Sequence, residues 1–376
     1  MNKPMLLGGL RSPIAKRNGG LADQHPAELL GNLMRATLES LTIDATDVDE
    51  VFVGCVTATG DQGNNVGRTA WLTAGLPVSV PATTVNAKCG SSQQALHIGA
   101  ALVASGAAEV IVCAGIEHMT RHPLGQDVGT EMGDPYSPSY RGHYETTTQG
   151  EAAERIARQW KLDRQRCDEI AVVSQERAAA AMKRGRFARE ILEVGTCRTD
   201  EGPRVSTLQS LRRLKPVFAA DGVLTAGTSS QISDGASCVV VVSERYAAGH
   251  GLEPMAVVEH QCVIGVDPVL KLTGPIPATR KILARSGLGV QDVDVFEVNE
   301  AFASVLGAWI DEIHVPLERV NVNGGAIALG HPVGATGSRL LLTAAHELRE
   351  SGGHRALITM CCGGGLGTAT ILRAAA

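Results

Sequence analysis

Residues 88–106, KCGSSQQALHIGAALVASG, and residues 334–352, GATGSRLLLTAAHELRESG, are two 19-residue segments built alike. Each is a Gly/Ser-rich turn that opens an apolar run of helical period and closes on Ser-Gly. Each is followed by a strand-like run, AEVIVCAG in one case and RALITMCC in the other. Upstream, DVDEVFVGC from Asp47 is matched by DVDVFEVNE from Asp292. The offsets are 245 residues for the upstream pair and 246 for the helical pair, so two separate matches share nearly one spacing. Self-similarity at a fixed spacing means that one supersecondary unit is used twice. The chain is therefore expected to form duplicated α/β halves. Their alternation of helix with apolar strand predicts mostly parallel sheets covered by helices.

Between the halves the texture changes. Residues 118–224 are polar and irregular, with a loop-like stretch, RHPLGQDVGTEMGDPYSPSYRGHYETTTQG, ahead of a segment that predicts two helices, EAAERIARQWKLDRQRCDEIAVVSQERAAAAMKRGRF. An insertion placed late in the first half is a natural cover for a substrate. The strand-like GASCVVVVS follows, which divides the chain into a first half (1–117 with 225–250), an insertion (118–224) and a second half (251–376).

Several classes are excluded early. A formal net charge of -5 with no basic block argues against nucleic acid or an anionic membrane as partner. The N-terminal MNKPMLLGGLRSPIAKRNGG has its basic residues after its short apolar stretch, the reverse of a secretory signal, and no run of 18 apolar residues suggests a membrane span. Nine scattered cysteines, odd in number and without a CxxC pair, suggest neither a disulfide framework nor a zinc site. A reduced cytoplasm is the expected compartment, with no metal.

Chemistry can be placed on four residues. Cys89 lies where the strand-like ATTVNAK turns into a helix, and free amides at a helix N-terminus are expected to lower a thiol pKa. The alternative is a small packing cysteine, but Gly90, Ser91 and Ser92 beside it offer no hydrophobic nest. His331 sits in the glycine-rich NGGAIALGHPVGATG ahead of a helix, as a base or as a loop histidine bound to carbonyls. Asn299, in EVNEAFA, stands with Glu300 at the carboxyl end of a strand, where α/β sites form, although asparagine is also a good N-cap. Cys361 and Cys362 precede three glycines in CCGGGLGTATIL, and strand alternation sends their side chains to opposite faces. Neither glycine-rich stretch has the spacing of a phosphate-binding loop, so oxyanion amides fit better than a nucleotide.

Together NAKCGSSQQALHIGA, VNEAFA, NVNGGAIALGHPVGATGSR and CCGGGLGTATIL resemble the motifs of the thiolases, over nearly the whole chain and in the family's order. The CGSSQQA form with LTGPIPATRKIL is closer to bacterial degradative 3-ketoacyl-CoA thiolases than to short-chain biosynthetic ones. The resemblance implies an α/β fold of two βαβαβαββ halves in five alternating αβαβα layers, with the insertion binding CoA. It implies cleavage of 3-ketoacyl-CoA by CoA, or the reverse condensation. Cys89 would carry the acyl group, His331, with a pKa near neutrality, would take its proton, and Cys361 would shuttle the α-proton. Asn299 would hold a water for the enolate oxygen. The amides of Cys89 and Gly363 would serve the tetrahedral intermediate, and Cys362 would only pack.

CoA is then a substrate, with no further cofactor. Ser230, in TAGTSSQISDGAS, is expected at the pantetheine, Arg204 at the nucleotide end, and Gln149 and Phe302 beside the acyl and CoA channel. Lys88 stands where degradative relatives usually have another polar residue. Gln149 and Thr148 replace a methionine and its predecessor common in biosynthetic relatives, at positions that border the acyl pocket. A homodimer or homotetramer is implied, associating near the strand before Cys89. A ketosynthase, a short-chain biosynthetic enzyme and an inactive acyl-CoA binder are the rival readings. The first is disfavoured by the His331 and Cys361 pair, and the last by the presence of all four polar positions.

Overall fold

The structure is a computed structural model, and it describes residues 2–128 and 133–375. Its strands are β1 (Pro4–Arg11), β2 (Ala15–Lys16), β3 (Glu50–Gly54), β4 (Ala82–Val85), β5 (Val110–His118), β6 (Ser233–Ser243), β7 (Ala256–Gly265), β8 (Val295–Val298), β9 (Arg355–Cys362) and β10 (Leu366–Ala374). The helices are α1 (Pro26–Ser40), α2 (Val66–Thr73), α3 (Ser91–Ser105), α4 (Pro138–His143), α5 (Gln149–Gln159) and α6 (Arg164–Lys183). They continue with α7 (Leu208–Arg212), α8 (Glu244–Gly249), α9 (Pro275–Ser286), α10 (Ala303–Ile313), α11 (Ala326–Leu329) and α12 (Thr336–Ser351).

The duplication is written in the strand order β4-β3-β5-β6-β1-β7-β10-β9-β8. From the centre outward, β1, β6, β5 and β3 on one side answer to β7, β10, β9 and β8 on the other. The partners have the same sense throughout: β3–β5 and β8–β9 are parallel, whereas β5–β6, β9–β10, β1–β6 and β7–β10 are antiparallel. Even the outer strand β4 has a vestige in the second half, a single parallel bridge between Phe296 and Val320. The halves meet where β1 pairs with β7 through Met5–Val257 and Leu6–Ala256.

The expectation of mostly parallel sheets is corrected, because antiparallel pairs predominate. Parallel pairing needs a crossover helix between consecutive strands, and the chain supplies one only within 50–118 and 295–362. The inserted segment returns β6 against β5 in the opposite sense, and Gly363–Gly365 make β9 and β10 a hairpin. Gly364 and Gly365 have φ of +82° and +80°, so this turn needs glycine.

Three large hydrophobic cores lie between the helical layers and the sheet. α1 and α2 cover the outer face of the first half's strands, with Trp71 and Met34 fully buried. α3 and α12 form the middle layer, buried against both halves of the sheet through Leu96, Leu341, Val241 and Ile358. α9 and α10, with α5 and α6 of the insertion, cover the second half's outer face around Phe296 and Trp309. The two middle helices touch backbone to backbone: a methyl group on Gly337 would lie 2.3 Å from the amide nitrogen of Gln93. Ser338 also donates its amide to Ser92 Oγ at 3.0 Å. Both helices thus begin at the same place, and each brings a candidate site residue there.

Candidate active site

Cys89 occupies the turn between β4 and α3. Lys88 before it has φ +53°, a left-handed conformation that swings the next residue inward. The thiol is buried in the middle core with Phe52, Val56, Val333 and Cys362. The absence of a hydrophobic nest, expected from its neighbours in sequence, is thereby corrected. Strands and loops distant in sequence supply the nest. The expectation of a lowered pKa fails for the same reason, since burial pushes the thiol up to about 11. The Gly363 amide, the cysteine's own amide and the Lys88 ammonium oppose that rise, and the Glu117 carboxylate adds to it. The amide donors favour the thiolate but do not outweigh desolvation.

His331 lies in the loop that leads to α12, and it too is buried. Its Nδ1 is 2.7 Å from Thr336 Oγ1, whose own hydroxyl donates to the Pro332 carbonyl at 2.9 Å. Thr336 must therefore accept from Nδ1–H, which leaves the lone pair on Nε2. Asn299 Nδ2 donates to that Nε2 at 3.2 Å, while the buried Asn299 Oδ1 has no partner among the described residues. Instead of the expected value near neutrality, burial and then the nearby Arg339 charge hold His331 down to about 3. The imidazole is neutral at any working pH, a proton acceptor that becomes charged only in the presence of a compensating anion.

Cys361 and Cys362 end β9 and point to opposite faces, as alternation requires. Cys361 is buried in the outer core with Val298 and Phe302. Cys362 packs in the middle core, where a methyl on Gly90 would come within 2.7 Å of its sulfur. Cys362 is thus set against the turn that bears Cys89. Burial, followed by the proximity of Cys89, raises both thiols above their ordinary value. Gly363 comes next, flanked by Gln149 Nε2 and the Lys88 side chain.

Of the remaining expected contacts, Ser230 and Phe302 lie together. Ser230 donates its amide to the Ala301 carbonyl at 3.0 Å, and Ser229 bridges to Phe302. Phe302 meets Phe218 edge-on at 5.4 Å between ring centroids. Arg204 lies apart, on an exposed loop tied by its amide to Gln175 Oε1 at 2.8 Å. Glu300, the chain neighbour of Asn299, turns the other way and is held by Ser174, Asn321 and the Ile327 amide.

Two residues that the sequence did not single out organise this site. Thr336 sets the histidine tautomer, and its signal was a hydroxyl five residues after His331 in the same glycine-rich loop. Glu117 is buried at the end of β5, where it accepts from the amides of Val56, Thr57 and Gly334 at 2.9, 3.0 and 3.0 Å. It thereby ties the histidine's loop to the first half. A carboxylate ending an otherwise apolar strand run was its signal.

A buried thiol under an amide donor with a second thiol near it, and a neutral imidazole in the loop that leads to α12, are groups suited to acyl transfer in a duplicated α/β protein. The family descriptions agree: the thiolase N-terminal domain matches residues 5–245 and the thiolase C-terminal domain residues 252–374. The chain belongs to the thiolase family. It is 44% identical over 384 residues to the steroid 3-ketoacyl-CoA thiolase of Mycobacterium tuberculosis, covering 99% of this chain and 94% of that protein. It is 38% identical over 398 residues to the β-ketoadipyl-CoA thiolase of Escherichia coli, covering 99% of both. With the acetyl-CoA acetyltransferase of Chromobacterium violaceum it shares 36% over 387 residues, covering 97% of both. The protein is an acyltransferase that works on acyl-CoA and CoA. Among the described residues no helix is long and apolar enough to cross a membrane.

Proposed function

We propose that the chain works in the degradative direction, cleaving a 3-ketoacyl-CoA with CoA to give acetyl-CoA and an acyl-CoA shortened by two carbons. Cys89 is the nucleophile. Its thiol proton passes to His331 Nε2 as sulfur attacks the 3-keto carbon, which supplies the compensating anion that the buried imidazole lacks. The C2–C3 bond breaks, and the electron pair goes to C2 as the acetyl-CoA enolate. Its oxygen takes hydrogen bonds from His331 and from a water held at the free Asn299 Oδ1, and Cys361 gives the proton to C2. CoA then gives its thiol proton to the Cys361 thiolate and attacks the thioester, and Cys89 leaves with the proton that His331 held. The amides of Cys89 and Gly363 hold the tetrahedral oxyanion in both half-reactions, each worth ~3 kcal/mol.

The observation that supports this reading is the Gly363 amide at the Cys89 thiol, together with the Asn299–His331–Thr336 chain in the loop leading to α12, the helix whose start meets the start of α3. We further assign CoA to the inserted segment, with Ser230 at the pantetheine, Gln149 and Phe302 at the channel and Arg204 toward the nucleotide. We place the protein in the cytoplasm as a homodimer or homotetramer. The half-exposed edge strand β4 offers its free backbone groups to a second copy. Incubation with a 3-ketoacyl-CoA, acid quench and peptide mass analysis should find the acyl group on the peptide containing CGSSQQALH. Acyl mass on any other cysteine would overturn the assignment.

A further inference from the structure

β8 and α12 meet through two polar rungs, of which the chemistry above uses one. Val295 lies in the middle core, and Phe296 and Val298 lie in the outer core, so strand alternation turns Glu297 toward α12. The Asn299 amide donates to the Thr359 carbonyl at 3.0 Å and continues the ladder of β8, which puts Asn299 on the same face as Glu297. On α12, Thr336 and Arg339 are three residues apart and share a face. The first rung is Asn299–His331–Thr336. The second is Glu297 and Arg339, only 0% and 3% exposed, with Arg339 Nη1 3.9 Å from Glu297 Oε2.

The second rung is a burden on the fold. Both carboxylate oxygens of Glu297 and all three guanidinium nitrogens of Arg339 lack a hydrogen-bond partner among the described residues. A buried ion pair adds little stability unless such atoms are satisfied. The guanidinium also stands near the start of its helix, where the macrodipole disfavours a cation. The other charges around it are engaged. Arg11 binds Glu190 and Asp200 at 2.8 and 2.7 Å, Arg186 binds Glu347 and Glu350 at 3.3 and 3.1 Å, and Glu300 accepts from Ser174 at 2.6 Å. These groups, on β1, the inserted segment, α12 and the loop after β8, reach the pair only through their fields. Glu297 and Arg339 are left to each other, and the charge that acts on His331 is that of Arg339.

We propose that Glu297 and Arg339 are positioning residues for the base, a buried pair whose net charge sets how readily His331 takes the proton of Cys89. This rests on the thiolase reading and adds a control to its first step. With Glu297 protonated, Arg339 is uncompensated and resists a second cation on the imidazole. With Glu297 ionised, the pair is neutral and the imidazolium formed during attack is tolerated. Burial, opposed by Arg339, pushes the Glu297 carboxyl up to about 8. His331 at about 3 and Cys89 at about 11 both lie outside the range from about pH 7 to 9.5, so neither gives a step there.

The test is acetylation of Cys89 by acetyl-CoA in a single turnover across that range, quenched in acid and read on the peptide containing CGSSQQALH. Acetyl-CoA has no 3-keto group to enolise, so the profile reports the enzyme. The wild-type rate should rise about three- to tenfold, the partial response of a base whose pKa moves by about one unit. The midpoint should fall at about 8. Glu297→Gln should be flat at the lower plateau of the wild type, whereas Arg339→Lys, which keeps the cation, should keep a step. A pair that only held the fold together would lower the rate evenly and leave the shape of the profile alone. Difference infrared spectroscopy of the wild type covers the case in which the variants fail to fold, because a carboxylic-acid C=O band should vanish with the same midpoint. A flat wild-type profile, a Glu297→Gln step like that of the wild type, or no carboxylic acid titrating with the rate overturns the proposal, while acetylated Cys89 upholds the thiolase reading. No acetylation of Cys89 at any pH overturns that reading as well.

Discussion

Thr336→Val keeps the shape of a side chain buried to 1% exposure and removes one oxygen, which accepts from His331 Nδ1 at 2.7 Å and donates to Pro332 at 2.9 Å. With valine there, a proton on Nδ1 would face a methyl group, an orphaned buried donor that costs about 1–3 kcal/mol. The ring can avoid that cost by moving its proton to Nε2. Asn299 can then rotate its amide to present Oδ1, which has no partner among the described residues in the native arrangement. The new tautomer is satisfied and the old one is not, so the variant should settle with Nε2 protonated and no lone pair toward Cys89. Stability should fall by only about 1 kcal/mol in denaturant titration, the net worth of the bonds lost. The rate of Cys89 acylation, followed by stopped-flow release of acetyl-CoA, should fall about 10²- to 10⁴-fold, the usual contribution of a general base. Thr336→Ser restores the acceptor and should recover most of the rate. Acylation of Thr336→Val at the wild-type rate would refute the assignment of the tautomer and of its keeper.

Two further outcomes follow from the geometry. Cys361→Ala should abolish deuterium exchange at the acetyl-CoA methyl yet still allow Cys89 to be acylated, whereas Cys362→Ala should exchange within several-fold of wild type, and the reverse result would put the register off by one residue. His97 is held down to about 3 by burial, with Thr370 Oγ1 2.8 Å from its Nε2, so between pH 6.5 and about 3 the unfolded chain takes up a proton that the fold refuses and stability drops as pH falls. His97→Gln should flatten that acid limb by about 1.4 kcal/mol per pH unit in denaturant titrations, and an unchanged slope would mean that His97 is protonated in the fold.

Local order was legible in the sequence because it is set by neighbours. The helices expected from 88–106 and 334–352 form at Ser91–Ser105 and Thr336–Ser351, each stopped by a left-handed glycine, Gly106 and Gly352. Strand sense was not legible, since it depends on where a long insertion returns the chain. The environment of Cys89 was misjudged for a related reason. Its immediate neighbours are glycine and serine, but Phe52, Val333 and Cys362, which share its buried cluster, come from three other parts of the chain. Burial then outweighed the helix terminus that the local sequence advertised. The same long-range packing hid Glu117, whose role is visible only once Gly334 and Val56 are brought to one carboxylate.

The contact between α3 and α12 also bears on how the protein is made. The serine that Ser338 meets is 246 residues earlier in the chain, so most of a polypeptide leaves the ribosome before the partner of α3 exists. Until then α3 is covered only on the side that meets β3, β5 and β6, and the side that α12 will occupy, around Ser92 and Gln93, stays open. Such a nascent chain offers an uncovered helix face to chaperones or to another unfinished copy for tens of seconds at ordinary elongation rates of about 5–20 residues per second. Closure of this long loop should make the maturation of the middle layer the slow step in biogenesis. Truncations after the first half should then aggregate, because they leave the α12 side of that helix open.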